Sequence, residues 1–220
     1  KILKYTMKKS LLSISVMAIV AVSCQQAPEA AKAETTEKQE AASVAGATEY
    51  TIDITNSTVG WIGTKPVGKH NGDFKLSGGS ISVDGGAVKG GHFVIDINSI
   101  KDHDLTDAES NGKLVGHLKS PDFFDAAQFP TAKFEITAVE ALQNDTTGTH
   151  KISGNLTLKD STKNVTFPAK ITVTDNDVKA VANFNIDRTH WGLKYRNDQS
   201  LGDKFIHPEV NISLNIEAKK

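Results

Sequence analysis

Seven histidines and one cysteine are the side chains best suited to metal binding or nucleophilic chemistry here, and their spacing argues against both. His70, His92, His103, His117, His150, His190 and His207 are scattered, without the HExxH or His-x-His spacing that sets two ligands on one face, so no metal site is expected. Asp102-His103-Asp104-Leu105-Thr106-Asp107 has the acid spacing of a calcium loop but lacks its glycine and closing glutamate. It reads as a solvated loop that ends in a helix N-cap. Nucleophile elbow, phosphate-binding loop and Cys-x-x-Cys motifs are absent, so no catalytic residue is assigned. Three residues stand out as candidate polar contacts. His70 sits in a Gly-rich turn and His117 precedes Phe123-Phe124. Each either satisfies buried backbone groups or meets the polar end of a bound molecule. Arg188 follows an alternating run, where its guanidinium suits a phosphate or carbonyl, or else a structural ion pair.

The cysteine has its own context. Met7-Lys8-Lys9 followed by the apolar run from Leu11 to Ser23 has the form of a secretory signal, with the true start read at Met7. The run is shorter than the roughly 20 residues a bilayer span needs. Cys24 follows Ala21-Val22-Ser23 directly, which resembles the lipobox of bacterial lipoproteins, with Ala21 where Leu is usual. Lipidation of Cys24 is the expectation, because a lone thiol in an exported chain has no internal partner. Several acyl chains, at about 0.8 kcal/mol per buried CH₂, tether such a protein to a membrane without embedding it. Residues 24–47, rich in Ala, Glu, Thr, Lys and Gln, have no large apolar side chain and read as a flexible linker. The folded domain is expected over residues 48–220.

Charge excludes one class of partner. Lys and Arg total 25 against 26 Asp and Glu, a net of −1. Residues 1–23 hold four of the lysines and no acid, so the remainder has 21 basic against 26 acidic residues, a net of −5. Such a body is not an electrostatic nucleic-acid binder.

The elements that must position these side chains are strands. From Thr48 onward the apolar period is close to two. Val210, Ile212, Leu214 and Ile216 alternate with Asn211, Ser213 and Asn215, and Ala180, Ala182, Phe184 and Ile186 alternate with Val181, Asn183 and Asn185. Turn signals at Gly78-Gly79, Asp84-Gly85-Gly86, Asp160-Ser161 and Asp175-Asn176-Asp177 separate such runs. Many strands in hairpin order predict an all-β antiparallel barrel or sandwich and exclude a βαβ architecture. Only Leu105 to Leu118 reads as a helix, a connection across one end. Gly154, Ala180 and Ala182 lie among large residues on inward faces. Either they leave a hollow lumen or they receive bulky side chains from facing strands. Trp61 and Trp191 read as core or rim packing.

Eight ordered segments, forming six blocks when 79–81 is joined to 68–74 and 129–134 to 117–125, then resemble the YceI family. They begin with Gly68-Lys69-His70-Asn71-Gly72-Asp73-Phe74 and Gly79-Ser80-Ile81. Asp96-Ile97-Asn98-Ser99-Ile100, His117-Leu118-Lys119-Ser120-Pro121-Asp122-Phe123-Phe124-Asp125 and Phe129-Pro130-Thr131-Ala132-Lys133-Phe134 form the middle. Gly154-Asn155-Leu156-Thr157-Leu158, Val165-Thr166-Phe167-Pro168 and Ile186-Asp187-Arg188 follow. The resemblance implies an extended, lipocalin-like antiparallel barrel of about eight strands. It also implies an apolar lumen that binds a polyisoprenoid, and export to the periplasm. The lumen is expected to be lined by Trp61, Phe74, Phe93, Ile95, Phe134, Ile136, Leu156, Ala180, Ala182, Phe184 and Leu214. Many members carry Arg-Asp where this sequence has Leu114-Val115, so any head-group contact made by that pair is missing.

The expected function is therefore lipid binding: a lipoprotein that carries or sequesters an isoprenoid or other long-chain lipid, is not an enzyme and needs no other cofactor. Two alternatives stay open. One is a barrel enzyme acting on a lipid or quinone at the mouth, which requires a His paired with an acid in a cleft. The other is a solid-core module whose partner is a protein.

Overall fold

A computed structural model describes residues 26–143 and 145–220; the leader and Cys24 lie outside the described residues. In chain order the elements are β1 (Ala31–Lys32), β2 (Glu34–Glu37), β3 (Thr48–Ile52), β4 (Thr58–Lys65), β5 (Gly68–Asp84), β6 (Ala87–Asp102) and α1 (Ala108–Lys119). They continue with β7 (Thr131–Ala141), β8 (His150–Leu158), β9 (Ser161–Val173), β10 (Asp177–Asp187) and β11 (Glu209–Lys219). Each strand from β4 to β11 pairs antiparallel with its sequence neighbour. β4 also pairs with β11, and the circle closes into an eight-stranded barrel. Closure leaves the alternating apolar residues only one place to go, the interior. β3 extends the stave begun by β4, pairing with the far ends of β5 and β11 across a turn that Asp53 caps.

The strand expectation from the two-residue period holds for the barrel staves, but Gly78-Gly79 is not a turn: β5 runs straight through it, with a bulge between Leu76 and Gly78. On β11, Val210, Ile212, Leu214 and Ile216 all face inward. On β10, Phe184 and Ile186 are buried, while Val181 is 46% exposed. Among the described residues the one α-helix begins at Ala108, three residues later than its apolar pattern suggested. Asp107 sets that start by accepting the Ser110 N–H at 2.8 Å, the N-cap read from the sequence. Among the described residues no helix is long and apolar enough to cross a membrane.

The linker expectation needs correction. β9 and β10 pair with each other only over Ala169–Val173 and Val178–Ala182, then diverge. Residues 31–37 fill the opening: β1 pairs parallel with β10 at Phe184 and Asn185, and β2 pairs antiparallel with β9 over Lys163–Thr166. The Ala33 N–H donates to the Asn185 carbonyl at 2.8 Å. The Asn155 side-chain oxygen accepts the Gln39 N–H at 3.0 Å, and its amide donates back to the Gln39 carbonyl at 2.8 Å. The segment lacks large apolar side chains and buries only the small Ala33 in the core, so composition gives no sign of order. What holds it is the pairing of backbone groups that two divergent strand edges would otherwise leave bare.

Candidate functional site

One row of rings divides the barrel interior. Phe93, Phe134, Phe167 and Phe184 come from β6, β7, β9 and β10, and neighbouring rings pack with centroids 5.2, 5.8 and 3.9 Å apart. Above the row lies a cavity of about 470 Å³, within the roughly 300–1,000 Å³ of small-molecule sites. Below it is a void of about 50 Å³. Phe93, Phe134, Phe167 and Leu214 border both spaces, so the aromatic row is the floor of the larger one.

Of the expected lumen residues, Trp61, Phe74, Phe93, Ile95, Phe134, Leu156, Phe184 and Leu214 line the large cavity. Ile136, Ala180 and Ala182 do not. They border the small void beneath the floor, because the inward faces of β7 and β10 continue past the aromatic row. Gly154 is not hollow space either. The Phe134 ring lies where its Cβ would be, so on this strand the small residue receives a bulky neighbour. Phe167 and Val165 also belong to the wall, and the alternation of Val165-Thr166-Phe167 is the local signal that marks them.

The open end is built from α1 and the 188–208 connection, which supply Leu114, His117 and Leu118 on one side and Leu193, Tyr195, Arg196 and Ile206 on the other. Leu114 adds apolar wall. Five cations, Lys65, Lys69, Arg188, Arg196 and Lys204, and one acid, Asp203, belong to the lining. The connection has no periodicity, which is why a sequence reading omits it.

Arg188 holds that connection in place. Its Nε donates to the His207 carbonyl at 3.2 Å, and Nη2 donates to the carbonyls of Tyr195 at 3.0 Å and Ile206 at 2.9 Å. Nη1 donates to the Leu193 carbonyl. The side chain is buried and spends its donors on backbone, so neither the rim ion pair nor a free head-group contact describes it. Trp191 is core, as expected, with its indole N–H donating to the Leu156 carbonyl at 2.8 Å.

Both candidate histidines line the cavity, and both pair with acids. His117 lies in the last turn of α1. Its Nε2 is 3.0 Å from Asp122 Oδ2, and its ring meets Phe123 and Tyr195 edge-on. His70 lies on β5, two residues past a turn and not within it. Its Nδ1 is 2.9 Å from Asp104 Oδ2 and 3.9 Å from Asp102 Oδ2. Burial pushes the Asp102 carboxyl above its ordinary range, against the Leu105 N–H it accepts, and neighbouring Asp104 adds to the rise. Asp104 is itself held low: the Asn71 N–H and the His70 ring outweigh its own desolvation.

A closed antiparallel barrel around an apolar, ligand-sized cavity is the architecture of a lipocalin-like barrel. The chain belongs to the YceI-like domain family, whose model matches residues 50–218. Among solved structures it is similar to Burkholderia cenocepacia BcnA, at 22% identity and a TM-score of 0.59, covering 76% of this chain and 99% of that one. It is also similar to a polyisoprenoid binding domain from Saccharophagus degradans implicated in plant cell wall breakdown. That match has 13% identity and a TM-score of 0.55, covering 77% of this chain and 97% of that one. Comparison with curated proteins returned no match.

Proposed function

We propose that this protein binds a polyisoprenoid or related long apolar lipid in its barrel and carries or sequesters it, as an exported lipoprotein anchored through Cys24. The observation that carries the reading is the 470 Å³ cavity, apolar along its walls, floored by phenylalanines and open to a polar mouth. The mechanism is burial. Each CH₂ moved from water into such a space gains about 0.8 kcal/mol before ordering costs. The fold relative described as a polyisoprenoid binding domain supports the ligand class. A solid-core module is disfavoured by the same cavity. Anchoring is tested separately: Cys24→Ala should release the protein from the membrane fraction and remove its acyl mass, and identical fractionation of acyl-free wild type would refute it.

A second reading, an enzyme converting a lipid or quinone at the mouth, is favoured by one observation, the His–Asp pairs at 2.9 and 3.0 Å on the cavity wall. Lipid carriage alone predicts that solanesol and ubiquinone incubated with the protein are recovered chemically unchanged. Conversion of either one, lost in His70→Ala or His117→Ala, would favour the enzyme.

A further inference from the structure

We propose that His70, Asp102 and Asp104 form a binding site for a divalent transition-metal ion, Zn²⁺ in preference to Ca²⁺ or Mg²⁺. The three residues come together through strand register. Gly72 on β5 pairs with Asp102 on β6, which places His70 and Asp102 on the same inward face, and Asp104 follows as β6 ends. Gly72 permits the approach, since a Cβ there would collide with the Lys101 carbonyl. One ligand atom from each residue lies within 4.8 Å of the others. The gaps of 2.9 and 3.9 Å from His70 Nδ1 bracket the roughly 3.4 Å edge of a tetrahedron with ligand bonds of about 2.1 Å.

Proximity of acids alone would mean little. The telling atom is Asp102 Oδ2. The Asp102 side chain has no exposed surface, and Oδ2 has no hydrogen-bond partner. Its other oxygen is fully engaged, accepting the Leu105 N–H at 2.9 Å and the Asn111 amide at 3.3 Å. Leaving a buried carboxylate oxygen unpaired is costly, and a cation at that point removes the cost. The remaining groups are braced as metal ligands usually are: Asp104 Oδ1 accepts the Asn71 N–H at 2.7 Å, leaving Oδ2 toward His70. One imidazole nitrogen with two carboxylate oxygens suits zinc, whereas calcium seeks six to eight oxygens. Three protein ligands leave a coordination position open.

The experiment is isothermal titration of chelator-treated full-length protein with ZnCl₂, and separately with CaCl₂. We expect one zinc site per chain. It should weaken at least tenfold in His70→Ala and in Asp104→Asn, each shown to be folded by circular dichroism, and by about 10–100-fold in Asn111→Ala. His103→Ala is the control, since its ring bonds Asp73 at 2.7 Å instead, and it should leave the affinity unchanged. Absence of zinc binding by wild type, equal affinity in the His70 and Asp104 variants, or calcium binding as tight as zinc would overturn the proposal.

Discussion

The Phe134 ring on β7 lies directly over Gly154 on β8, in the space a Cβ would occupy. The glycine is thus a seat for the floor of the cavity, and the Phe93–Phe134 stack depends on it.

Gly154→Ala should therefore destabilise the protein. The added methyl group would push the ring off its seat, and overpacking of this kind costs about 1–3 kcal/mol. Denaturant unfolding of lipid-free protein checks this. An unchanged midpoint would mean that the ring moves freely.

Removing a floor ring should join the two interior spaces. Phe167 borders both, so Phe167→Ala should let the barrel accept longer prenyl chains, at a stability cost of about 3–5 kcal/mol. Competition between short- and long-chain polyprenols reads the change. Unaltered chain-length preference in a folded variant would show that the floor does not limit length.

Arg188 ties four carbonyls of the connection that forms the mouth. Arg188→Met should loosen residues 193–207, seen as faster proteolytic cutting there and faster amide exchange. Arg188→Lys should not restore the wild-type rates, because an ammonium cannot reproduce a planar fork of donors. Full rescue by lysine would reduce the residue to a simple charge.

Asp53 shows how one end of the barrel responds to acid. Hydrogen bonds from Lys219 at 2.7 Å and from Asn56 hold its carboxyl well below the ordinary range. A carboxylate depressed on folding contributes stability above its unfolded pKa of about 3.9, lost as pH falls through the lower folded value. The melting-temperature gap between wild type and Asp53→Asn should thus be constant above about pH 5 and shrink below it. A gap independent of pH down to strong acid would contradict this.

How much of this was legible in the residues follows from the range of the interactions. Alternation is local, so β11 and β10 and most of the cavity wall could be read directly. Ile136, Ala180 and Ala182 share that alternation, yet lie below the floor, because a period of two says which face is inner and nothing about height along the axis. The ordering of residues 31–37 depends on edges contributed by β9 and β10, far along the chain. His70 and Asp102 sit on different strands, where no fixed motif spacing applies, and only the β5–β6 register joins them. Arg188 was visible as a residue, but its partners are carbonyls of an aperiodic loop.

The most direct test of the central claim is mass spectrometry of an organic extract of the purified protein, compared between wild type and Gly63→Phe. Gly63 lines the cavity and a Cβ there meets nothing within 4 Å, so a phenylalanine ring should enter the ligand space without displacing protein atoms. Wild type should yield a prenyl-chain lipid, or take up solanesol from vesicles when purified empty. The variant should fold, melt near lipid-free wild type and carry none. Wild type that yields no such lipid and takes up no solanesol, or a variant that binds as well as wild type, would contradict the account.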